Sequence, residues 1–194
     1  MKFEWNSSLK RGAKRVLEAF TVAFIKQITK RDFDSITVND LCEESGYPRA
    51  TFYNYFDDKY DLLNFLFMRL VEHVAIDDFY DGTAAAPYER IFDKVYDLIA
   101  DVAPYIRLMM RNNPMDGYLF VSCKTYLIGR VHQHFSRLPV GEVCPVPIDM
   151  MAEFFCNTFW LVLERCFVKE PILPKETARA YMRYLLPDPY CVKP

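Results

Sequence analysis

The chain has 194 residues, 52% of them hydrophobic and 16% aromatic, which is ample material for a buried core. No apolar run approaches the roughly 18 residues of a membrane helix, and MKFEWNSSLKRG at the start carries no apolar export segment, so a soluble, cytoplasmic protein is expected. The formal net charge of −2 does not advertise nucleic acid, but its distribution does. Up to Arg31 the basic residues are Lys2, Lys10, Arg11, Lys14, Arg15, Lys26, Lys30 and Arg31, against only Glu4 and Glu18, a local basic arm on a mildly acidic protein. The 6 cysteines (Cys42, Cys123, Cys144, Cys156, Cys166, Cys191) show no CxxC spacing and read as reduced core thiols, with no metal site and no cofactor implied.

Strand signals are absent, and prolines fall at the breaks between apolar-periodic segments, so the fold class is all-α, with about nine helices. A first helix is expected from about Leu9 to Thr29, with Ala13, Val16, Leu17, Phe20, Phe24 and Ile28 on one apolar face. Lys10, Arg11, Lys14 and Arg15 crowd its first turns against the helix dipole; a nearby anion and a solvated basic face account for them equally well. A second helix opens at Thr37, where Thr37 and Asp40 have capping-box spacing, and ends at Ser45-Gly46. Pro48 opens a third helix reaching Phe56. On it Phe52 and Phe56 lie four apart and face the first two helices, leaving Arg49, Ala50, Thr51, Tyr53 and Asn54 outward. A guanidinium, a hydroxyl, a phenol and an amide around one small residue suit base edges and phosphates. Tyr55 and Thr37 are further candidates for contact with DNA.

The segment SGYPRATFYNYFDDKYDLL resembles the signature of the TetR family of bacterial transcriptional regulators: a small-residue turn, Thr-Phe-Tyr-x-x-Phe, then an acidic-Lys step into a fourth helix. The resemblance covers roughly residues 10–65, the family's DNA-binding head. It implies that Arg49, Ala50, Thr51, Tyr53 and Asn54 meet DNA and that Lys59 grips a phosphate. Where the family most often has Ser or Thr opening the third helix, this chain has Pro48, which offers neither hydroxyl nor N–H.

The fourth helix, from Asp58 to about Asp78, is apolar on several faces and reads as the link between a head at residues 1–60 and a helical body at 61–194. After the loop 81–86, helices are expected at Pro87–Val102, Tyr105–Arg111 and Asp116–Arg137. Phe65, Tyr88, Phe92, Tyr96, Tyr105, Met109, Tyr118 and Tyr126 supply large or half-polar side chains that suit a semi-polar organic effector, or an ordinary core. The resemblance implies an effector pocket in this part of the chain. His132 and His134, two apart on a helix, point in different directions and make no metal pair.

A helix at Ile148–Val168 keeps only a narrow polar stripe of Glu153, Asn157 and Glu164, and a last helix spans Lys175–Leu186. Their surplus apolar surface, with Phe155, Phe159, Trp160, Leu163, Phe167, Tyr181 and Leu185 as candidate contacts, suggests half of a four-helix dimer interface. The functional expectation is a homodimeric repressor released from a pseudo-palindromic double-stranded DNA operator by a small-molecule effector. The competing reading is a DNA-bound adaptor or architectural protein that recruits a protein partner. An enzyme is not expected, for there is no Gly-rich phosphate loop, metal cluster or nucleophile–base spacing.

Overall fold

The computed structural model describes residues 10–74, 87–137, 146–169, 171 and 173–186, with the side chains of 73, 74, 87 and 88 excepted. Among them are the helices α1 (Arg11–Lys30), α2 (Val38–Ser45), α3 (Arg49–Tyr53), α4 (Lys59–Val74), α5 (Pro87–Asn112), α6 (Tyr118–Phe135), α7 (Ile148–Phe167) and α8 (Lys175–Leu185), with a 3-10 turn at Phe33–Ser35. The described residues contain no strand, so the protein is all-helical. The expected loop at 81–86, the last turn before Asp78 and most of the Pro139–Pro147 link lie outside the described residues.

Among the described residues there are eight α-helices, close to the expected nine; Pro104 does not break its segment, and α5 runs through it. Proline removes one backbone hydrogen bond and crowds the carbonyl four residues back. Here that carbonyl belongs to Ala100, and both Ala100 and Pro104 are exposed, so water can serve it. Among the described residues, other prolines do punctuate, with Pro48, Pro147 and Pro174 at N-caps and Pro114 just beyond α5.

The chain forms two compact units: residues 1–70 with 105–122, and residues 71–104 with 123–194. The first has an aromatic core. Phe20 meets Phe52 edge-on at 5.2 Å between ring centroids, Phe52 lies 5.4 Å from Phe56, and Phe56 lies 5.7 Å from Phe65. All four rings are fully buried, each contributing about 1.5–3 kcal/mol of transfer free energy. Edge-on geometry sets the positive rim of one ring against the negative face of the next.

Local chemistry fixes the helix ends in this unit. Thr37 Oγ1 accepts from the Asp40 backbone N–H at 3.2 Å while the Asp40 carboxylate accepts from the Thr37 N–H at 2.8 Å, closing the capping box. Gly46 ends α2 with φ of 74°, a left-handed conformation that a residue with a Cβ resists. Asp58 Oδ1 accepts from the backbone N–H of Tyr60 and of Asp61 at 2.9 Å and starts α4. Glu44 ties α2 to α1 through Lys26 at 3.1 Å and Lys30 at 3.7 Å.

The second unit is built on Phe92, Tyr96, Phe159, Val162, Cys166, Phe167, Ala178, Met182 and Leu186, all buried. Glu89, Asp93 and Asp97 stand at four-residue steps on α5, and Arg183, Arg179 and Lys175 descend α8 at the same step. They pair as Glu89–Arg183, Asp93–Arg179 and Asp97–Lys175, each with a contact of 2.7 Å, so the two helices run antiparallel. Both arginine pairs are bidentate, which fixes orientation as well as distance. The Tyr96 hydroxyl donates to the Leu173 carbonyl at 2.8 Å.

Candidate nucleic-acid interface

Helix α3 is a short lever with two unlike faces. Phe52 and Phe56 are fully buried beneath it, while Arg49, Ala50, Tyr53 and Asn54 are exposed and Thr51 is half-buried. The helix is shorter than its sequence pattern predicts. Pro48 is the flanking N-cap rather than the first helical residue, so Arg49 opens the helix. At the other end the Tyr55 and Phe56 N–H groups both turn back to the Phe52 carbonyl at 3.0 Å, which tightens the turn and closes the helix at Tyr53. Tyr55 is half-buried at that turn, and Thr37 is exposed but engaged in its capping box.

The Arg49 guanidinium donates to the Tyr53 hydroxyl at 3.2 Å and sits 5.7 Å from its ring centroid. That spends one of five N–H donors, and a planar fork remains for the two acceptors of a guanine edge. Lys59 is turned differently from a simple phosphate clamp. Its Nζ donates to the Phe33 and Asp34 carbonyls at 2.9 and 2.8 Å and lies 4.6 Å from the Phe33 ring centroid. Desolvation lowers its pKa from the ordinary value, against the pull of Asp34, Asp32 and Asp58. Two of its three donors therefore tie α4 to the 3-10 turn.

Beside this surface, Arg11, Lys14, Arg15, Glu18, Ala19, Val22, Glu44 and Ser45 line an open groove of about 540 Å³. Its basic side is the cluster at the start of α1, where no acidic residue balances the first turn. The Asp40 carboxyl is held at about 2, below its usual 3.8, by the Thr37 hydroxyl, then by Arg31 and the Thr37 N–H. Arg31 approaches it at 2.9 Å.

The remaining sequence candidates are divided between the units. Phe65, Tyr105, Met109 and Tyr118 belong to the first, and Phe92, Tyr96 and Tyr126 to the second; the Tyr88 side chain lies outside the described residues. Phe65 and Phe92 are fully buried core rings, whereas Tyr105 and Tyr118 are exposed. Of the α7 and α8 candidates, Phe159 and Phe167 are buried in the second unit's core, with Phe155 and Leu163 packed against it. Trp160 is half-buried, and Tyr181 and Leu185 are exposed. The candidate contacts left out Met150, Phe154 and Leu161 on α7 and Tyr184 on α8, which are all exposed, Tyr184 at 89%.

Sequence reasoning also passed over Asn112 and Asn113. Asn-Asn-Pro directly after a helix is a stop signal, but it does not say that Asn113 is buried and bonded to α1. Among the described cysteines Cys42, Cys123, Cys156 and Cys166 are thiols, and burial pushes Cys123 and Cys156 up to about 12. Among the described residues no group of three or more His, Cys, Asp or Glu is placed to hold a metal, and no helix is long and apolar enough to cross a membrane.

A five-residue helix with a polar, cationic outer face, set by tight turns on a three-helix aromatic core, is a helix-turn-helix head. Residues 22–65 match the family described as bacterial regulatory proteins, tetR family. The match spans the head alone, from within α1 to within α4. Solved structures share the fold at low identity. A TetR transcriptional regulator from Streptococcus agalactiae is 20% identical with a TM-score of 0.58, covering 90% of this chain and 96% of that one. A protein assigned to the TetR family from Syntrophomonas wolfei is 18% identical with a TM-score of 0.58, covering 93% and 96%. Regulatory protein TetR from Rhodobacter sphaeroides is 16% identical with a TM-score of 0.50, covering 87% and 95%. No curated protein matches the chain.

Proposed function

We propose that this protein is a homodimeric, cytoplasmic repressor that binds a pseudo-palindromic operator through α3 and is released by a small organic effector. The observation that carries the DNA-reading part is the outer face of α3, where Arg49, Ala50, Tyr53 and Asn54 are exposed over two fully buried phenylalanines. Arg49 and Asn54 would read base edges; Thr51, Tyr53 and the basic start of α1 would hold phosphates. Lys59 has one N–H beyond its two carbonyl bonds to offer a phosphate, so its main duty is to set α4 against the turn. Thr37 and Tyr55 would support the same surface from the second helix and the closing turn.

Two copies fit the outer faces of α7 and α8. Met150, Phe154, Leu161, Tyr181, Tyr184 and Leu185 leave apolar surface in water that a closed pairing would bury. Paired heads would then address half-sites one helical turn, about 34–36 Å, apart. For the effector, Tyr96 and Tyr126 in the second unit are phenols whose pKa burial raises, and half-polar side chains of this kind suit a semi-polar organic molecule. A coupling of about 1–3 kcal/mol between effector and DNA would change operator affinity by about 5–150-fold.

The same exposed apolar face supports the adaptor reading, with a different protein in place of the second copy. Selection from fragmented genomic DNA, followed by salt titration, tests the central claim. Enrichment of one two-fold sequence, with affinity falling steeply as salt rises, is expected; no enrichment sinks the DNA-reading claim. Light scattering separates the other two readings, for a dimer supports self-pairing and a monomer at micromolar concentration favours the adaptor.

A further inference from the structure

Helix α1 ends without a self-contained cap. Its C-cap residue Arg31 is extended (φ −152°, ψ 169°) rather than left-handed, so the Schellman turn that usually serves the last carbonyls is not formed. Donors come instead from residues more than 80 positions away. Asn113 Nδ2 donates to the Ile28 carbonyl at 2.9 Å and Asn112 Nδ2 donates to the Thr29 carbonyl at 3.2 Å. Asn113 Oδ1 accepts the Phe33 backbone N–H at 2.8 Å, and its amide also reaches the Met109 carbonyl at 3.1 Å and the Arg31 carbonyl at 3.3 Å. At 2% exposure it is one of two buried polar side chains among the described residues, and it uses both its acceptor and its donors.

The turn that Asn113 holds is gripped on its other sides. Lys59 binds the Phe33 and Asp34 carbonyls, and Tyr118 stacks on the Phe33 ring at 5.3 Å with 6° between planes. Tyr60 meets both rings, Phe33 at 5.4 Å and Tyr118 at 5.1 Å. This turn feeds directly into the Thr37 cap, α2 and the reading helix. All of these residues lie in the first unit, yet α5 and α6, which bear the corner, continue along the chain into the second.

We propose that the corner of Asn112, Asn113 and Tyr118 is a clasp that caps α1 from outside and sets the pose of the reading head, with Asn113 as its positioning residue. This rests on the DNA-reading function proposed above. Displacing the corner uncaps Ile28 and Thr29, frees the Phe33 N–H and loosens the approach to α2.

The test uses the full chain with Asn113→Ala, the milder Asn112→Ala, and Val162→Ala as a control destabilised in the second unit. Amide exchange of residues 28–46 should accelerate at least tenfold in Asn113→Ala, a few-fold in Asn112→Ala, and not in the control. The ratio of operator affinity to unrelated-DNA affinity should fall at least tenfold in Asn113→Ala with the salt slope unchanged, because the phosphate-binding side chains are untouched. A general loss of stability would move the control as well. Unchanged exchange overturns the clasp, and faster exchange with an unchanged ratio overturns its role in DNA reading. Should Asn113→Ala fail to fold, Asn112→Ala decides by the same two readouts. If the wild-type chain shows no operator preference, it is the DNA-reading function that falls, and exchange still judges the clasp.

Discussion

The helix ends of the reading head are set over a few residues: Thr37 with Asp40, Asp58 with Asp61, Phe52 with Phe56. In the second unit the contacts between α5 and α8 span 94, 86 and 78 residues for Arg183–Glu89, Arg179–Asp93 and Lys175–Asp97. A motif therefore specifies the head, whereas the second unit depends on two distant helices meeting in one register. This contrast also explains where single substitutions should bite hardest. Local caps and buried rings concentrate free energy in a few residues, and a ladder of half-exposed pairs spreads it thinly.

The largest effect is expected from Phe52→Ala, which empties a fully buried site touching Phe20 and Phe56. A loss of about 3–5 kcal/mol should appear in chemical denaturation. A loss below about 1 kcal/mol would mean that the ring cluster is not what holds the head. Met182→Ala, in the second unit's core, should cost about 2–5 kcal/mol in the same assay while leaving amide protection in residues 17–63 unchanged. Arg49→Ala should leave stability alone and cost about 1–3 kcal/mol of discrimination at one base pair, read by competition between operator variants. Equal weakening on every sequence would assign Arg49 to a phosphate instead.

Thr37→Ala should cost about 1 kcal/mol and change the acid limb of the stability curve. Because the folded Asp40 carboxyl sits at about 2 against an ordinary 3.8, its stabilisation is full above 3.8 and drains away as pH falls toward 2. Without the Thr37 hydroxyl that limb should flatten in a pH series of thermal melts. The smallest effect belongs to the ladder. Asp93→Asn should cost no more than about 1 kcal/mol, and added salt should shrink the difference; a cost of several kcal/mol would make the ladder, not the core, the second unit's main constraint.

The same contrast governs what could be read from the sequence. The capping box at Thr37 and Asp40, the left-handed Gly46, and the inward pair Phe52 and Phe56 were all legible, because each is local chemistry at fixed spacing. Pro104 was misleading, since whether a proline ends a helix depends on whether water can reach the carbonyl it orphans. The sorting of α7 was half legible. Periodicity shows a helix with too much apolar surface, but only packing tells that Phe159 faces inward and Phe154 outward. Lys59 shows the limit of a motif, for its position was expected while its two carbonyl partners came from a turn with no signature of its own. Asn113 was invisible for the same reason, its partners being 80 and 85 residues away.

That distance bears on how the chain is made. On a ribosome, residues 11–74 emerge and can collapse around their aromatic core before residue 113 has left the exit tunnel. During that interval the Ile28 and Thr29 carbonyls and the Phe33 N–H must be served by water, with the end of α1 frayed. The head therefore matures in two steps, an early aromatic nucleus and a late closure that waits for the far end of α5. A fragment cut after α4 would stop at the first of them.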